Sequence, residues 1–189
     1  MTIQPTATHD VHCYADADFG GLWGSEDDQD PTCVKSRTGF VLLFMGCPLL
    51  WASKLQTQIA LSTMESEYIA LSHSMRELIG VRQVLKEIYE HVLSDDINMP
   101  TYTTKHKYGS LPQSKVFEDN EACLKFASLP KMSSRTKHIA IPYHFFRSKV
   151  KNLEIKVETV GTKEQLADQF TKGISQEDFD HARFNLMGW

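Results

Sequence analysis

Hydrophobic positions change their period several times along the chain, and each change predicts an element. Val11–Ala15 reads as a short strand running into the acidic stretch Asp16-Ala17-Asp18. Residues 19–38, rich in Gly, Asp and Ser, read as a loop. Gly39–Met45 and Leu49–Leu55 are short apolar runs joined by Gly46-Cys47-Pro48, which predicts a hairpin. Tyr68, Leu71, Met75, Leu78, Leu85 and Ile88 recur at three- and four-residue steps or their sums, as on one face of a long helix. Ser62 and Glu65 match a capping box at its start.

The second half repeats the alternation of types. Leu93–Ser114 has no period, holds Pro100, Gly109 and Pro112, and reads as an inserted loop. Lys115–Glu118 is a short strand, and Asp119-Asn120 can open a helix through about Ser128. Ser133–His138 is a basic turn, after which Ile139, Phe146 and Val150 share a helical face, with Pro142 in the first turn. Leu153–Val160 alternates as a strand. Thr162 and Gln165 form a second candidate capping box, opening a helix through Asp168 and Phe170 that Gly173 ends. Ser175 starts a last helix carrying Phe179, Phe184 and Leu186. The order β, β, β, α, β, α, α, β, α, α predicts an α/β fold. Its five-stranded mixed sheet has three antiparallel strands, then two parallel ones, flanked by helices. Residues 1–10 are expected to fray, residues 11–189 to form one domain, and residues 93–114 to be a loop insertion within it.

Composition changes this picture only in its charge. The 189 residues are 41% hydrophobic and 23% charged, which fits a globular domain, and the net charge is −4. That total does not suggest a polyanion partner, but its distribution does. Residues 131–156 hold seven bases and one acid, leaving thirteen bases against 23 acids elsewhere. The longest uncharged stretch, Thr38–Ser53, is shorter than the ~20 residues a membrane helix needs. Cys13, Cys33, Cys47 and Cys123 have neither CxxC nor zinc-like spacing and read as reduced thiols. No export signal is visible, so the expected location is cytoplasmic or nuclear, not secreted and not membrane-bound.

Four acids stand where chemistry could be placed. Asp16 follows the first strand, Glu65 lies in the first turn of the long helix, Asp119 follows the fourth strand, and Asp168 lies beyond the fifth. Carboxylates at strand ends and helix starts can converge at one sheet edge, where their repulsion calls for cations. Hard oxygen donors without Cys or His favour Mg²⁺ or Mn²⁺ over zinc, and two ions about 3.5–4 Å apart suit phosphodiester hydrolysis. Each acid also admits a plainer use: Glu65 as the capping-box acid, Asp119 as an N-cap, Asp16 bonding its own turn, Asp168 as an exposed helix residue.

Seven runs now point to a family. They are Tyr14-Ala15-Asp16-Ala17-Asp18, Ser36-Arg37-Thr38-Gly39, Trp51-Ala52-Ser53-Lys54, Ala60 through Tyr68, Glu118-Asp119-Asn120, Ser134 through Ile139, and Glu164-Gln165-Leu166-Ala167-Asp168 with Thr171-Lys172. In this order they resemble the RNase H region of copia-type retrotransposon polyproteins, from about residue 13 to the end. The resemblance implies an RNase H fold and a two-metal ribonuclease that cuts the RNA strand of RNA–DNA hybrids, leaving 5′-phosphate and 3′-hydroxyl ends. It also implies a reverse transcriptase domain upstream in a longer polyprotein. It assigns Asp16 as the acid shared by both Mg²⁺ or Mn²⁺ ions, Glu65 and Asp119 as ligands beside the leaving oxygen, and Asp168 as ligand on the water side. Asp18 and Glu67 compete for two of these places.

One departure is that the loop before Asp168 has no His, whereas many cellular RNases H carry one there; a proton-transfer or product-release aid is therefore missing. Hybrid recognition is expected through phosphates and 2′-hydroxyls. Arg135, Lys137, Arg147 and Lys149 are the phosphate candidates, Asn120 and Ser53 the backbone or sugar candidates, and Trp51 is expected to pack in the sheet core. A second reading, of a different class, is a nucleic-acid-binding module whose catalysis has decayed. An integrase-like order fails, because Glu65 precedes Asp119.

Overall fold

The computed structural model describes residues 5, 10–24, 29–30, 32–91, 111–128 and 144–189. Five strands form one sheet: β1 (Val11–Asp18), β2 (Arg37–Phe44), β3 (Cys47–Leu55), β4 (Ser114–Glu118) and β5 (Ile155–Thr159), in the order β3-β2-β1-β4-β5. β1, β2 and β3 pair antiparallel, whereas β1–β4 and β4–β5 are parallel, as predicted. Among the described residues the helices are α1 (Thr63–His91), α2 (Glu121–Ser128), α3 (Arg147–Lys151) and α4 (Gln176–Met187), with single 3₁₀ turns at His144–Phe146, Thr162–Glu164 and Asp168–Phe170.

Alternation along the central strands divides the interior in two. Val11 and Cys13 of β1, Phe40 and Leu42 of β2, and Val116 of β4 face α1 and α2, packing on Tyr68, Leu71, Met75, Leu78 and Phe126. On the opposite face Val41 and Leu43 meet Leu166, Ala182 and Leu186, with Tyr14 and Phe170 beside them. With both faces covered, β2 reads as a continuous apolar run rather than an alternating one.

Several boundaries differ from the sequence expectations for local reasons. The hairpin turns at Met45 and Gly46, both at positive φ (53° and 77°), as the right-handed strand twist favours. Cys47 and Pro48 therefore belong to β3, whose position at the sheet edge tolerates proline. Leu153 sits at φ 59°, in the left-handed region, so β5 begins only at Ile155. The second capping box does not form. Thr162 donates its hydroxyl to Asp119 Oδ2 at 3.4 Å, and Gln165 turns inward to donate to the Ala15 carbonyl at 2.9 Å. Drawn into tertiary contacts, both leave a pair of 3₁₀ turns where a helix was expected.

Trp51 is also a correction. It shares its strand phase with Leu49 and Ser53, while Leu50 and Ala52 pack against the α1-side core. On the edge strand that phase leaves Trp51 60% exposed instead of buried in the sheet. The expected fraying of residues 1–10, most of the 93–114 insertion, the basic turn at 133–138, Ile139 and Pro142 fall largely or wholly outside the described residues.

Candidate metal centre

Parallel pairing brings Asp16 and Asp119 together. Tyr14 of β1 lies opposite Phe117 of β4, so Asp16 and Asp119 each lie two residues beyond that pair, at the same end of the sheet. Asp168 reaches the same end on its 3₁₀ turn. Carboxylate oxygens of Asp16, Asp119 and Asp168 lie within 4.8 Å of one another. Gly39 makes this approach possible. It pairs with Asp16 in the β1–β2 ladder, and a Cβ there would stand 2.6 Å from Thr171 Cγ2 and 2.9 Å from Phe170 Cβ. Without a side chain on β2, the turn rests directly on the sheet.

A second group lies on the α1 side. Oxygens of Glu67, Glu118 and Asp119 also fall within 4.8 Å of one another, so Asp119 belongs to both groups. The strand phase explains the division. Glu118 alternates with Ser114 and Val116 toward α1, and Glu67 stands one turn before Leu71 on the buried face of α1.

Glu65 is placed elsewhere, in the plainer use its position allowed. Its backbone N–H donates to Ser62 Oγ at 3.2 Å, and its Oε2 accepts from the Leu61 N–H at 3.0 Å. This is a variant of the capping box, in which Glu65 reaches the amide before Ser62 instead of Ser62's own. Glu65 belongs to neither acidic group, and its helix neighbour Glu67 fills the position facing the sheet. Asp18, the competitor of Asp16, is also in neither.

The electrostatics are those of crowded, buried acids. Burial pushes the Asp16 carboxyl up to about 6, Asp168 and Asp119 reinforcing the effect and the Thr171 hydroxyl and Lys172 opposing it. Thr171 donates a short hydrogen bond to Asp16 Oδ2. Burial also raises Asp168, against the pull of Lys172. Lys172 Nζ lies 3.0 Å from Asp168 Oδ1 and 3.9 Å from Asp16 Oδ2. Burial alone would lower Lys172, yet the carboxylates around it leave it raised. Glu67 and Glu118 are both pushed far up, first by burial and then by neighbouring acids. One oxygen of each, Oε2, is buried without a hydrogen-bond partner. Unsatisfied buried carboxylate oxygens grouped around a shared aspartate are a donor set that fits a hard divalent cation.

Other expected contact residues divide into engaged, exposed and undescribed. Asn120 Oδ1 accepts from the Cys123 N–H at 2.9 Å and so caps α2. Arg147 reaches inward, donating to the Phe126 carbonyl at 3.0 Å, and Lys149 pairs with Glu154 at 3.0 Å. Ser53 is exposed, pairs with Gly39 in the β2–β3 ladder, and so stands level with Asp16 across the sheet. Arg135 and Lys137 lie outside the described residues. Sequence reasoning passed over Glu118, Thr171 and Lys172 as site residues. Alternation along β4 was the available signal for Glu118; the other two became visible only when the Asp168 turn docked.

No family model matches the chain. Over 167 residues, 88% of the chain, it is 31% identical to the retrovirus-related Pol polyprotein from transposon TNT 1-94 of Nicotiana tabacum. Over 92% of the chain it is 28% identical to the corresponding polyprotein from transposon RE1 of Arabidopsis thaliana. The chain spans 10% of the length of each of these relatives. Among solved structures, it resembles an N-terminal RNase H domain from Mycobacterium tuberculosis, solved as a fusion with maltose-binding protein. The TM-score is 0.50 at 12% identity, over 93% of this chain and 96% of that one. It also resembles LC11-RNase H1, isolated from compost by a metagenomic approach, with a TM-score of 0.52 at 15% identity, over 93% and 99% of the two chains. Strand order and sequence similarity point the same way: over most of its length the chain is similar to the retrovirus-related Pol polyproteins of plant transposons, and it has the RNase H fold.

Proposed function

We propose that the chain is a ribonuclease H that hydrolyses the RNA strand of RNA–DNA hybrids with two divalent cations, as one part of a longer reverse transcriptase polyprotein. The observation that carries this reading is the convergence of Asp16, Glu67, Asp119 and Asp168 from β1, α1, the end of β4 and the turn after β5. Asp16, Asp119 and Asp168 would hold one Mg²⁺ or Mn²⁺ ion, Glu67 and Asp119 the other, so Asp119 rather than Asp16 takes the shared place that the resemblance assigned to Asp16. Glu67 takes the place that the family resemblance assigned to Glu65. Bound there, the ions would lower the pKa of the attacking water and offset charge at the phosphate. The chain's own part is to fix these carboxylates. The Thr171 hydroxyl and the Ala17 amide orient Asp16 and Glu67, respectively. Lys172 bonds Asp168 and offsets negative charge around it. Attack in line would leave 5′-phosphate and 3′-hydroxyl ends.

Substrate recognition is proposed to use Ser53 beside the site and Arg135 and Lys137 of the basic segment, with Arg147 and Lys149 contributing through the charge of their segment. The test is cleavage of a labelled RNA–DNA hybrid by the purified chain with Mg²⁺ or Mn²⁺, against duplex DNA and duplex RNA. Hybrid-selective cleavage of the RNA strand is expected. Asp119→Asn should abolish it while leaving the fold intact, since Asn keeps the shape but not the charge. Cleavage unchanged in Asp119→Asn would refute the mechanism, and none by the parent chain would favour the decayed binding module.

A further inference from the structure

Glu118 is the most completely enclosed carboxylate among the described residues of this site. Its side chain lies at the end of β4 with 0% relative exposure. One oxygen, Oε1, accepts the Asn120 N–H at 3.2 Å, which fixes the direction of the carboxyl group. The other, Oε2, has no hydrogen-bond partner. A carboxylate oxygen of Glu118 nevertheless lies within 4.8 Å of oxygens from both Glu67 and Asp119. An orphaned, buried carboxylate oxygen oriented by a backbone amide is costly without a cation to meet it.

We propose that Glu118 is an additional protein ligand of the cation on the α1 side, making that position a three-carboxylate site with Glu67 and Asp119. The proposal rests on the two-cation reading above and extends it. Three protein carboxylates leave fewer water ligands than the one or two carboxylates that usually hold Mg²⁺, which gives up its water reluctantly. The α1-side position is therefore expected to favour Mn²⁺ over Mg²⁺ more strongly than Glu67 and Asp119 alone would. Cation preference at this pole is then set by a residue of β4 as well as by α1.

The test is a titration of the full chain with Mn²⁺, and separately with Mg²⁺, followed by thermal shift and by calorimetry, without substrate. Glu118→Gln keeps an acceptor for the Asn120 N–H but loses the charge. It should weaken Mn²⁺ binding by about 10- to 100-fold, at least what removing a partner of a metal ligand costs, and should narrow the Mn²⁺ preference. Glu121→Gln, the same charge change on the exposed start of α2, should leave both midpoints at the parent value. A parent-like Mn²⁺ midpoint in Glu118→Gln overturns the proposal, as does an equal weakening in Glu121→Gln. If Glu118→Gln does not fold, Glu118→Asp keeps the charge but withdraws the oxygens; it too should bind Mn²⁺ more weakly, and parent-like binding overturns the proposal. Hybrid cleavage by the parent separates the two readings. Normal Mn²⁺ binding without cleavage removes the nuclease reading and leaves the ligand role of Glu118 standing, whereas cleavage with an unmoved Glu118→Gln midpoint does the reverse.

Discussion

Glu65 and Glu67 differ by two positions on one helix, and a helix turns about 100° per residue, so they point in widely different directions. Glu65 closes the N-terminal cap of α1, and Glu67 meets the end of the sheet. The two should therefore separate by experiment. Glu67→Gln is expected to abolish hybrid cleavage and to raise the metal-free Tm, because it removes one of several mutually repelling buried acids. Glu65→Ala is expected to keep cleavage and to cost about 0.5–2 kcal/mol, the range for a lost cap. Cleavage assays beside denaturant melts decide it; loss of cleavage in Glu65→Ala with a parent-like melt would return the ligand role to Glu65.

At the level of elements, the site depends on one short turn lying flat against β2. A methyl group at residue 39 would meet Thr171 Cγ2 and Phe170 Cβ well inside contact distance. Gly39→Ala should force the Asp168–Phe170 turn off the sheet, costing about 1–3 kcal/mol as overpacking does. The displaced Asp168 should lower kcat by about 100-fold, since misplacements near 1 Å have that effect, with KM for the hybrid little changed. Stability and kinetics measured on the same preparation check this, and an intact kcat would mean that Asp168 is not needed where the fold places it. The same docking explains why the second capping box does not form. Thr162 and Gln165 have the residue types of a helix start, but Asp119 and the Ala15 carbonyl compete for their side chains and win.

For the whole molecule, clustering buried acids makes stability depend on pH with an unusual sign. The Asp16 carboxyl rises from its ordinary 3.8 to about 6 on folding, so the folded state holds that proton more tightly than the unfolded state. Its stabilising effect is complete below about pH 4 and lost as pH rises to about 6. Glu67 and Glu118 extend the trend upward. His73, which burial holds below its ordinary value, works in the opposite direction, so the comparison needs a variant. The metal-free Tm of Asp16→Asn minus that of the parent should grow between pH 4 and 7 and then level off. Saturating Mn²⁺ should shift the parent's Tm more at pH 7 than at pH 5, since ionised carboxylates bind it. A Tm difference that does not change with pH would contradict the burial of Asp16.

Periodicity and turn chemistry alone determined the order of element types, the long α1, and the positions of Asp16 and Asp119 near the ends of their strands, because these are local properties of spacing and capping. The parallel β1–β4 register then had only to bring ends already marked in the sequence side by side. Which acids face one another was decided in three dimensions. The rotation of α1 against the sheet sets Glu67, not Glu65, beside Asp119, and the burial that α1 and α2 impose on the end of β4 encloses Glu118. Trp51 is exposed for a related reason: its strand phase is legible in the sequence, but which face an edge strand leaves open depends on the elements packed across it. Arg147 and Lys149 carry the charge that a phosphate contact needs, yet folding supplies the Phe126 carbonyl and Glu154 as nearer partners. Charge and residue type are written in the chain; the partner that each side chain meets depends on contacts between residues as far apart as Ala15 and Gln165, and only the folded structure makes those.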